Sequence, residues 1–418
     1  MHDRSSQPQP LHPTTDLIHH PYTPPVGFQA PQPGVFKAST VYFPTVADMR
    51  QREWKDKSAY TYGLHGTPTT YLLEERLCHL EGGAQCLLVP SGLAALATVS
   101  LALLKTGDEV LLPSNAYGPN KALAEGELRR YGITHRLYDP MDPNDLSANI
   151  TEQTRLVWLE APGSVSMEFP DLPELVRRCQ AKGVLCALDN TWGAGLAFKP
   201  FDLLRDGAEV PTRLAVDISV QALTKYPSGG GDVLMGSVIT RDDALHLKLK
   251  LCHMRLGLGV GANDVETVLR SLPSIALRYA AHDHTARTLA YWWQSQAACV
   301  QVLHPAFNGA PGHAHWQALC QNDSNSGLAA GLFSVMLDPR FSTAQVDAFC
   351  DHLKLFKIGY SWGGPISLVV PYDLRSMRPD WPAHVQPGHL VRFSTGLESA
   401  DDLILDLRQA LEAHLQLI

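Results

Sequence analysis

The stretch Val216-Asp-Ile-Ser-Val-Gln-Ala-Leu-Thr-Lys225-Tyr-Pro-Ser-Gly-Gly-Gly-Asp232 places a lysine between an apolar, strand-forming run and a turn rich in Pro and Gly. Upstream, a second apolar run, Gly183-Val-Leu-Cys-Ala-Leu-Asp189, ends in a carboxylate. A desolvated lysine forms Schiff bases with carbonyl groups, and a carboxylate can keep a pyridine nitrogen protonated. The pair therefore predicts an enzyme that uses pyridoxal phosphate (PLP), with Lys225 as the Schiff-base lysine and Asp189 beside the pyridine nitrogen.

Short apolar runs alternate with helical stretches from about residue 69 onward. This rhythm predicts an α/β fold with a mostly parallel sheet and helices on both faces. Ligands bind at the carboxyl ends of the strands in such sheets, and Glu160, Asp189 and Ser219 are expected there. The first helix is expected to begin near Thr69 and to stop at Gly82. The predicted strands are 86–89, 109–112, 156–159, 184–188 and 214–219.

Three segments are expected along the chain. Residues 1–61 form an N-terminal extended arm, whose first 35 residues are rich in Pro, Gln, His and Thr. Residues 62–270 form the PLP-binding large domain. Residues 271–418 form a smaller α+β domain, which ends in a periodic helix over 400–415.

Composition excludes several classes of function. The 418 residues carry a formal net charge of −8 without long charged runs, so no surface for nucleic acid is indicated. No apolar stretch reaches membrane-spanning length, and the N-terminus lacks an apolar signal core, so neither membrane insertion nor export is expected. Eight Cys without a C-x-x-C pair are typical of reduced thiols in a cytoplasmic protein. The His pairs lack partner ligands, so no metal site is expected.

Further segments carry candidate site residues. The turn Pro90-Ser91-Gly92-Leu93-Ala94 opens a helix and suits a phosphate, although small residues also allow close helix packing. Tyr117 follows a strand and suits stacking on a planar ring, or it is a core or interface aromatic. Arg392 lies on an apolar strand, where its guanidinium suits a substrate carboxylate or a structural ion pair.

Ordered motifs over about residues 35–418 resemble the Cys/Met-metabolism family of fold-type-I PLP enzymes. The motif Gln221-Ala-Leu-Thr-Lys225-Tyr is the most specific of them. Two others, Pro162-Gly-Ser-Val-Ser-Met-Glu168 and Gly359-Tyr360-Ser361-Trp362-Gly-Gly364, resemble the β-lyase branch. The resemblance implies a PLP transferase fold and a homotetramer built as a dimer of dimers, with each active site shared between two subunits.

The resemblance also implies a role for each matched residue. Lys225 carries the cofactor and then a proton, Asp189 pairs with the pyridine nitrogen, and Tyr117 stacks on the ring. Tyr62 reaches the cofactor phosphate of the neighbouring subunit and joins Lys225 and Tyr117 as a candidate catalytic residue. The expected phosphate ligands are Ser91, Gly92, Leu93, Ser219 and Thr224, and the expected substrate contacts are Arg392, Ser361, Trp362 and Tyr360.

The chain departs from the family pattern in places that border the cofactor and the substrate. Leu64 stands where the family has an Arg that clamps the phosphate across the interface, and Pro365-Ile366 replaces Tyr-Glu. The expected reaction is β-elimination from L-cystathionine or a related β-substituted L-amino acid, which yields a thiol, pyruvate and ammonia. Three alternatives stay open: γ-elimination or γ-replacement, a divergent β-lyase or β-replacing enzyme with a specialised substrate, and a PLP-binding protein without catalysis.

Overall fold

The larger of two sheets has seven strands and is mostly parallel. A computed structural model of the chain describes residues 13–28, 30–55, 57–204, 213–321, 326–378 and 380–416. Strand order is β1-β7-β6-β5-β4-β2-β3, with β7 antiparallel to both neighbours and the remaining pairs parallel. The strands are β1 (Gln85–Val89), β2 (Glu109–Pro113), β3 (Thr134–Tyr138), β4 (Thr154–Glu160), β5 (Leu185–Asp189), β6 (Ile218–Ala222) and β7 (Gly236–Thr240).

Helices cover both faces of this sheet because its central strands bury side chains on both sides. Leu111 and Val157 belong to one apolar core, whereas their neighbours Val110 and Leu156 belong to the other. Alternation of this kind is what strand geometry imposes on a sheet without a solvent face. The helices of the arm and of this region are α1 (Pro13–Ile18), α2 (Val46–Arg50), α3 (Pro68–Glu81), α4 (Gly92–Leu103), α5 (Gly118–Leu123), α6 (Pro143–Asn149), α7 (Leu172–Ala181), α8 (Asp243–Leu256) and α9 (Ala262–Ser271).

A second sheet of five strands has the order β10-β11-β12-β9-β8. Its core includes Trp293, Phe333, Phe393 and Leu407. The strands are β8 (Cys299–Leu303), β9 (Leu332–Leu337), β10 (Lys357–Ile358), β11 (Leu368–Tyr372) and β12 (His389–Ser394). The accompanying helices are α10 (Ile275–Gln294), α11 (His313–Cys320), α12 (Thr343–His352), α13 (Leu374–Met377) and α14 (Ala400–His414).

These observations confirm the predicted fold class and most predicted elements. The helix expected from Thr69 is α3, which Thr67 caps and which ends at Gly82 in the left-handed conformation (φ 81°). The two sheets lie on opposite sides of the boundary expected near residue 270, and the exact division stays a prediction. Residues 1–12 of the expected arm lie outside the described residues. In the part of the chain that the structure describes, no helix is both long and apolar enough to cross a membrane.

One strand was placed wrongly from the sequence. The fifth expected strand, 214–219, is in fact β6, which begins at Ile218 and ends at Ala222. Asp217 just before it accepts a hydrogen bond from the Cys186 backbone N–H (2.8 Å) and takes no part in the strand. Ser219 is therefore the second residue of β6 and does not lie at its carboxyl end.

Candidate active site

A pocket of about 500 Å³ lies where the carboxyl ends of the parallel strands meet the second sheet. Glu160 ends β4 and Asp189 ends β5, and the two residues are direct partners in the parallel register. Lys225 follows β6 after a short turn, and Arg392 comes from β12 of the second sheet. The two domains therefore contribute opposite walls of one site.

Lys225 is the central amine of the pocket. Its Nζ lies 2.9 Å from Ser361 Oγ and 5.2 Å from the centre of the Trp362 ring. Burial, and then the positive charge of Arg392, lower the pKa of Lys225 to about 8, although Asp189 opposes them. Lys225 thus loses its proton at lower pH than an exposed lysine does, as a nucleophilic or proton-accepting amine requires.

Asp189 is held in place by the residue two positions later. The Thr191 backbone N–H and side-chain hydroxyl both donate to Asp189 Oδ1, at 3.0 and 2.5 Å. Burial raises the pKa of Asp189, while the Thr191 hydrogen bonds and Lys225 oppose this effect. The Thr191 hydroxyl also accepts from the Ala222 backbone N–H (2.9 Å), so it ties the ends of β5 and β6 together.

The turn before α4 forms the end of the pocket that suits a phosphate. Ser91 caps α4 by accepting from the Ala94 backbone N–H (3.0 Å), and Ser91, Gly92 and Leu93 line the pocket. Glycine is needed at 92, since a Cβ there would lie 2.6 Å from the Ala222 Cβ. The first turn of this 12-residue helix offers backbone N–H groups to an anion.

Arg392 forms the opposite, cationic end. Its side chain is buried on β12, and Nη2 donates to the carbonyl oxygens of Tyr360 (3.3 Å) and Ser361 (3.4 Å). Its Nε is also buried, yet it has no hydrogen-bond partner among the described residues. A buried donor without a partner is costly, and a ligand carboxylate would satisfy it. Trp362, Tyr360 and Tyr372 stand around this end.

The structure brings most of the expected site residues together. Ser91, Gly92, Leu93, Tyr117, Asp189, Thr224, Lys225, Tyr360, Trp362 and Arg392 line the one pocket, and Ser361 touches Lys225. Ser219 does not line it, because the alternation of β6 turns this fully buried residue toward the side of Glu81. Ala222, at the true end of the strand, lines the pocket instead.

Tyr62 lies outside this subunit's pocket. This residue is 44% exposed, and its hydroxyl is 3.4 Å from Ser39 Oγ. The neighbouring Leu64 and His65 line a separate small cavity with Lys250. His65 is engaged locally, because its Nδ1 lies 2.9 Å from Thr61 Oγ1 and its ring stacks on Trp54. The expected action of Tyr62 on a second subunit stays a prediction.

Several pocket residues were not foreseen. Thr191 could have been found as the hydroxyl two residues after Asp189, a spacing at which side chains often bond to each other through a turn. Leu234 and Met377 carry no such signal, since only the tertiary fold brings them to the pocket. Among the residues described, no group of His, Cys, Asp or Glu side chains is arranged to hold a metal ion.

The pocket fits PLP on its own geometry. An amine of lowered pKa, an anchored carboxylate, a helix N-terminus and a half-exposed aromatic ring all face one cavity. These groups match the aldehyde, the pyridine nitrogen, the phosphate and the ring face of that cofactor. Lys225, Asp189, Ser91, Gly92, Thr224 and Tyr117 would hold it.

Comparisons with known proteins agree with this assignment. The profile of the family described as "Cys/Met metabolism PLP-dependent enzyme" matches residues 14–412. The chain is 37% identical to a cystathionine beta-lyase of Bordetella avium, over 95% of this chain and 96% of that protein. It is 32% identical to an L-alanine/L-glutamate racemase of Wolbachia pipientis wMel, over 91% of this chain and 92% of that protein.

A solved structure supports the same fold. The cystathionine gamma synthase from Xanthomonas oryzae pv. oryzae, in complex with cystathionine, superposes with a TM-score of 0.82 at 29% identity. The match covers 97% of this chain and all of that one (100%). The predicted resemblance, the fold type and the dependence on PLP are thereby confirmed. This chain belongs to the Cys/Met metabolism family of PLP-dependent enzymes.

Proposed function

We propose that the protein is a carbon–sulfur β-lyase that cleaves L-cystathionine, or a related β-substituted L-amino acid, to a thiol, pyruvate and ammonia. The observation that carries this proposal is the placement of Lys225 Nζ, 2.9 Å from Ser361 Oγ, in one pocket with the carboxylate of Asp189 and the guanidinium of Arg392. This arrangement suits an α-amino acid whose carboxylate faces Arg392 and whose Cα–H faces Lys225. The cystathionine beta-lyase of Bordetella avium, at 37% identity, supports the same assignment.

Each side chain has a chemical task in this proposal. Bound PLP stabilises the negative charge that develops at the substrate Cα when its proton leaves. Lys225, neutral in a large fraction of molecules near pH 8, takes the Cα proton at Nζ. Arg392 binds the substrate carboxylate through its unpaired Nε, and Trp362 excludes water beside Lys225. The bond between Cβ and sulfur then breaks, the sulfur leaves with that electron pair and takes a proton as a thiol, and water hydrolyses the remaining three-carbon enamine to pyruvate and ammonia.

We further propose that the working form is a homotetramer, a dimer of dimers in which Tyr62 of one subunit faces the pocket of another. Several large apolar side chains near the pocket and on the arm are exposed in the single chain, which is typical of a surface that a second subunit covers. They are Val26, Phe28, Phe36, Tyr42, Tyr62 and Leu234. We also propose that the protein is cytoplasmic, because eight Cys without a C-x-x-C pair are typical of reduced thiols.

The test is an assay of the PLP-saturated protein with L-cystathionine, in which pyruvate, 2-oxobutyrate and free thiol are quantified. Pyruvate and thiol in equal amounts support β-elimination, whereas 2-oxobutyrate would indicate γ-elimination. The matched control is Lys225→Ala, which should abolish the keto acid. L-Alanine should be included as a substrate, with its chirality followed, because a relative at 32% identity is named a racemase. Racemisation without pyruvate would contradict the proposal.

A further inference from the structure

A second carboxyl group lies beside Asp189 and has no task in the chemistry described above. Glu160 ends β4, lines the pocket and pairs directly with Asp189 in the parallel register. Side chains of register partners on parallel strands point to the same side of the sheet. The end of the pocket that receives the pyridine nitrogen therefore carries two neighbouring acids rather than one.

The Glu160 carboxyl group makes a specific hydrogen bond. Its Oε2 accepts from the Tyr117 backbone N–H at 2.7 Å. Tyr117 precedes α5 and has no side-chain cap of its own, and this residue, 43% exposed, lines the pocket. The distance of 2.7 Å is short for an N–H···O hydrogen bond, so it constrains the Tyr117 backbone closely. Glu160 thus holds the backbone from which the Tyr117 ring projects.

Nearby groups act differently on the pKa values of the two carboxyl groups. Burial, and then the negative charge of Asp189, raise the pKa of Glu160 well above its usual range, although the Tyr117 N–H and Lys121 oppose them. Two adjacent carboxyl groups do not ionise together easily. Asp189 receives two hydrogen bonds from Thr191, which favour its charged form. The Thr191 hydrogen bonds thus favour ionisation of Asp189, whereas burial and the nearby Asp189 charge oppose ionisation of Glu160.

We propose that Glu160 is a positioning residue, whose carboxyl group holds the Tyr117 backbone N–H and thereby sets the aromatic ring against the cofactor. The inference rests on the proposed function only through the shared use of PLP. In this proposal the carboxyl group itself has a task. A glutamate that only filled space at the end of β4 would have none.

The test compares Glu160→Gln with Glu160→Leu. Both side chains are close to Glu in size, but only Gln keeps an oxygen that accepts from the Tyr117 N–H. The apoprotein of each variant is titrated with PLP, and the dissociation constant and the visible circular dichroism of the bound cofactor are measured. We expect Glu160→Leu to weaken PLP binding about tenfold and to reduce the dichroic band, because a buried N–H loses its partner. Glu160→Gln should recover most of both signals.

Two further measurements make the result decisive. Thermal unfolding of the apoproteins identifies a Leu variant that fails to fold, in which case Glu160→Ala and Glu160→Gln are compared instead. Glu152→Ala, an exposed residue just before the same strand, is the matched control and should bind PLP as the wild type does. An unchanged dissociation constant and dichroic band in Glu160→Leu would overturn the proposal. So would a Gln variant as impaired as the Leu variant, because the charge would then be what matters.

The outcome is independent of the proposed reaction. If the wild-type protein binds PLP but forms no pyruvate, the β-lyase assignment fails, whereas the PLP titrations of the Glu160 variants still decide the role of Glu160.

Discussion

Arg378 Nη1 lies 2.6 Å from Glu168 Oε1, and the two side chains are only 9% and 1% exposed. Arg378 belongs to the segment between β11 and β12, whereas Glu168 follows β4 in the large domain. Ser166 and Asn115 also donate to Glu168, at 2.7 and 3.3 Å. This buried ion pair therefore fixes the segment that carries Met377, a pocket residue, to the opposite domain.

Removing one partner of this pair should both destabilise the fold and loosen the pocket. Breaking a buried ion pair leaves a charge without a partner, which costs about 3–5 kcal/mol. We expect Glu168→Gln to lower the free energy of unfolding by roughly that amount and to raise KM more than it lowers kcat, because Met377 loses its support. Denaturant unfolding and steady-state kinetics measure the two effects.

The matched control for Glu168→Gln is a more exposed pair. Arg178 Nε lies 2.6 Å from Glu174 Oε1 on α7, and these side chains are 39% and 28% exposed. Glu174→Gln should cost at most about 1 kcal/mol. Equal decreases in the free energy of unfolding of the two variants would show that burial does not set the strength of the Glu168 pair.

The Glu168 pair also predicts how stability responds to acid. Burial alone would raise the pKa of Glu168, but contact with His384 and the charge of Arg378 outweigh it and hold the pKa well below the usual range. A carboxyl group with a lowered pKa stabilises the fold above its unfolded-state value, and this stabilisation is lost as the pH falls toward the folded-state value. The wild type should therefore lose more stability between about pH 5 and pH 2 than Glu168→Gln does, in denaturant unfolding at each pH. If the free energy of unfolding fell equally with pH in the wild type and in Glu168→Gln, this account would be contradicted.

The pH dependence of cofactor capture should report the environment of Lys225. Only the neutral amine attacks an aldehyde, so the rate at which the apoprotein takes up PLP should rise as the pH passes through about 8. Arg392 is the charge that lowers this pKa after burial. Arg392→Leu should therefore move the midpoint of the rate profile to higher pH, as followed by stopped-flow absorbance of the bound cofactor.

The control for this shift removes the same positive charge at a different place in the protein. Arg375 is exposed on α13, where it lies over the Trp381 ring. Arg375→Leu should leave the midpoint where it is in the wild type. A midpoint that stays near 8 in Arg392→Leu would mean that burial alone sets the Lys225 pKa.

Local patterns predicted the large sheet because its strands are short apolar runs. The run 156–159 lies inside β4, and the carboxylate after the next run, Asp189, lies in the pocket as expected. β3 (Thr134–Tyr138) escaped prediction because it is an edge strand of polar residues, which carries little apolar signal. The predicted strand 214–219 is displaced from β6 for a comparable reason, because the apolar run begins four residues before β6 does.

Long-range contacts explain the rest of what the sequence could not predict. Met377 and Arg378 lie on a segment without periodicity, and their place beside the pocket depends on Glu168 and on Lys121, whose Nζ donates to the Met377 carbonyl (2.7 Å). Side chains more than 200 positions apart in the chain meet there. The sequence motif identifies Glu168 only as part of a family pattern and does not reveal its partner.

Thr191 should matter through Asp189. Its hydroxyl donates to Asp189 Oδ1 (2.5 Å) and accepts from the Ala222 N–H (2.9 Å). Thr191→Val keeps the shape but loses both hydrogen bonds, so PLP binding should weaken about tenfold. Thr191→Ser keeps the hydroxyl and should bind PLP more tightly than Thr191→Val does. Equilibrium dialysis measures the PLP affinity of the two variants. Equal affinities would show that the backbone N–H of residue 191 is sufficient to hold Asp189.

The residue at position 64 provides a test of the site shared between subunits. Leu64 stands where the family resemblance implies an Arg that clamps the cofactor phosphate of the neighbouring subunit. A charge-assisted hydrogen bond contributes about 1.5–3 kcal/mol, so Leu64→Arg should tighten PLP retention about ten- to a hundredfold. Release of PLP during dialysis is the measurement. Leu64→Met is the matched control, since it keeps the size of the side chain without adding charge.

The outcome at position 64 also bears on the assembly. Tighter retention in Leu64→Arg requires the segment that holds Tyr62 and Leu64 to lie near another subunit's phosphate, because this segment is not part of its own subunit's pocket. The gain should therefore disappear when the protein is diluted until sedimentation shows single chains. Retention that does not change in Leu64→Arg would mean that another group already binds the phosphate, and the absence of Arg at this position would then carry no cost.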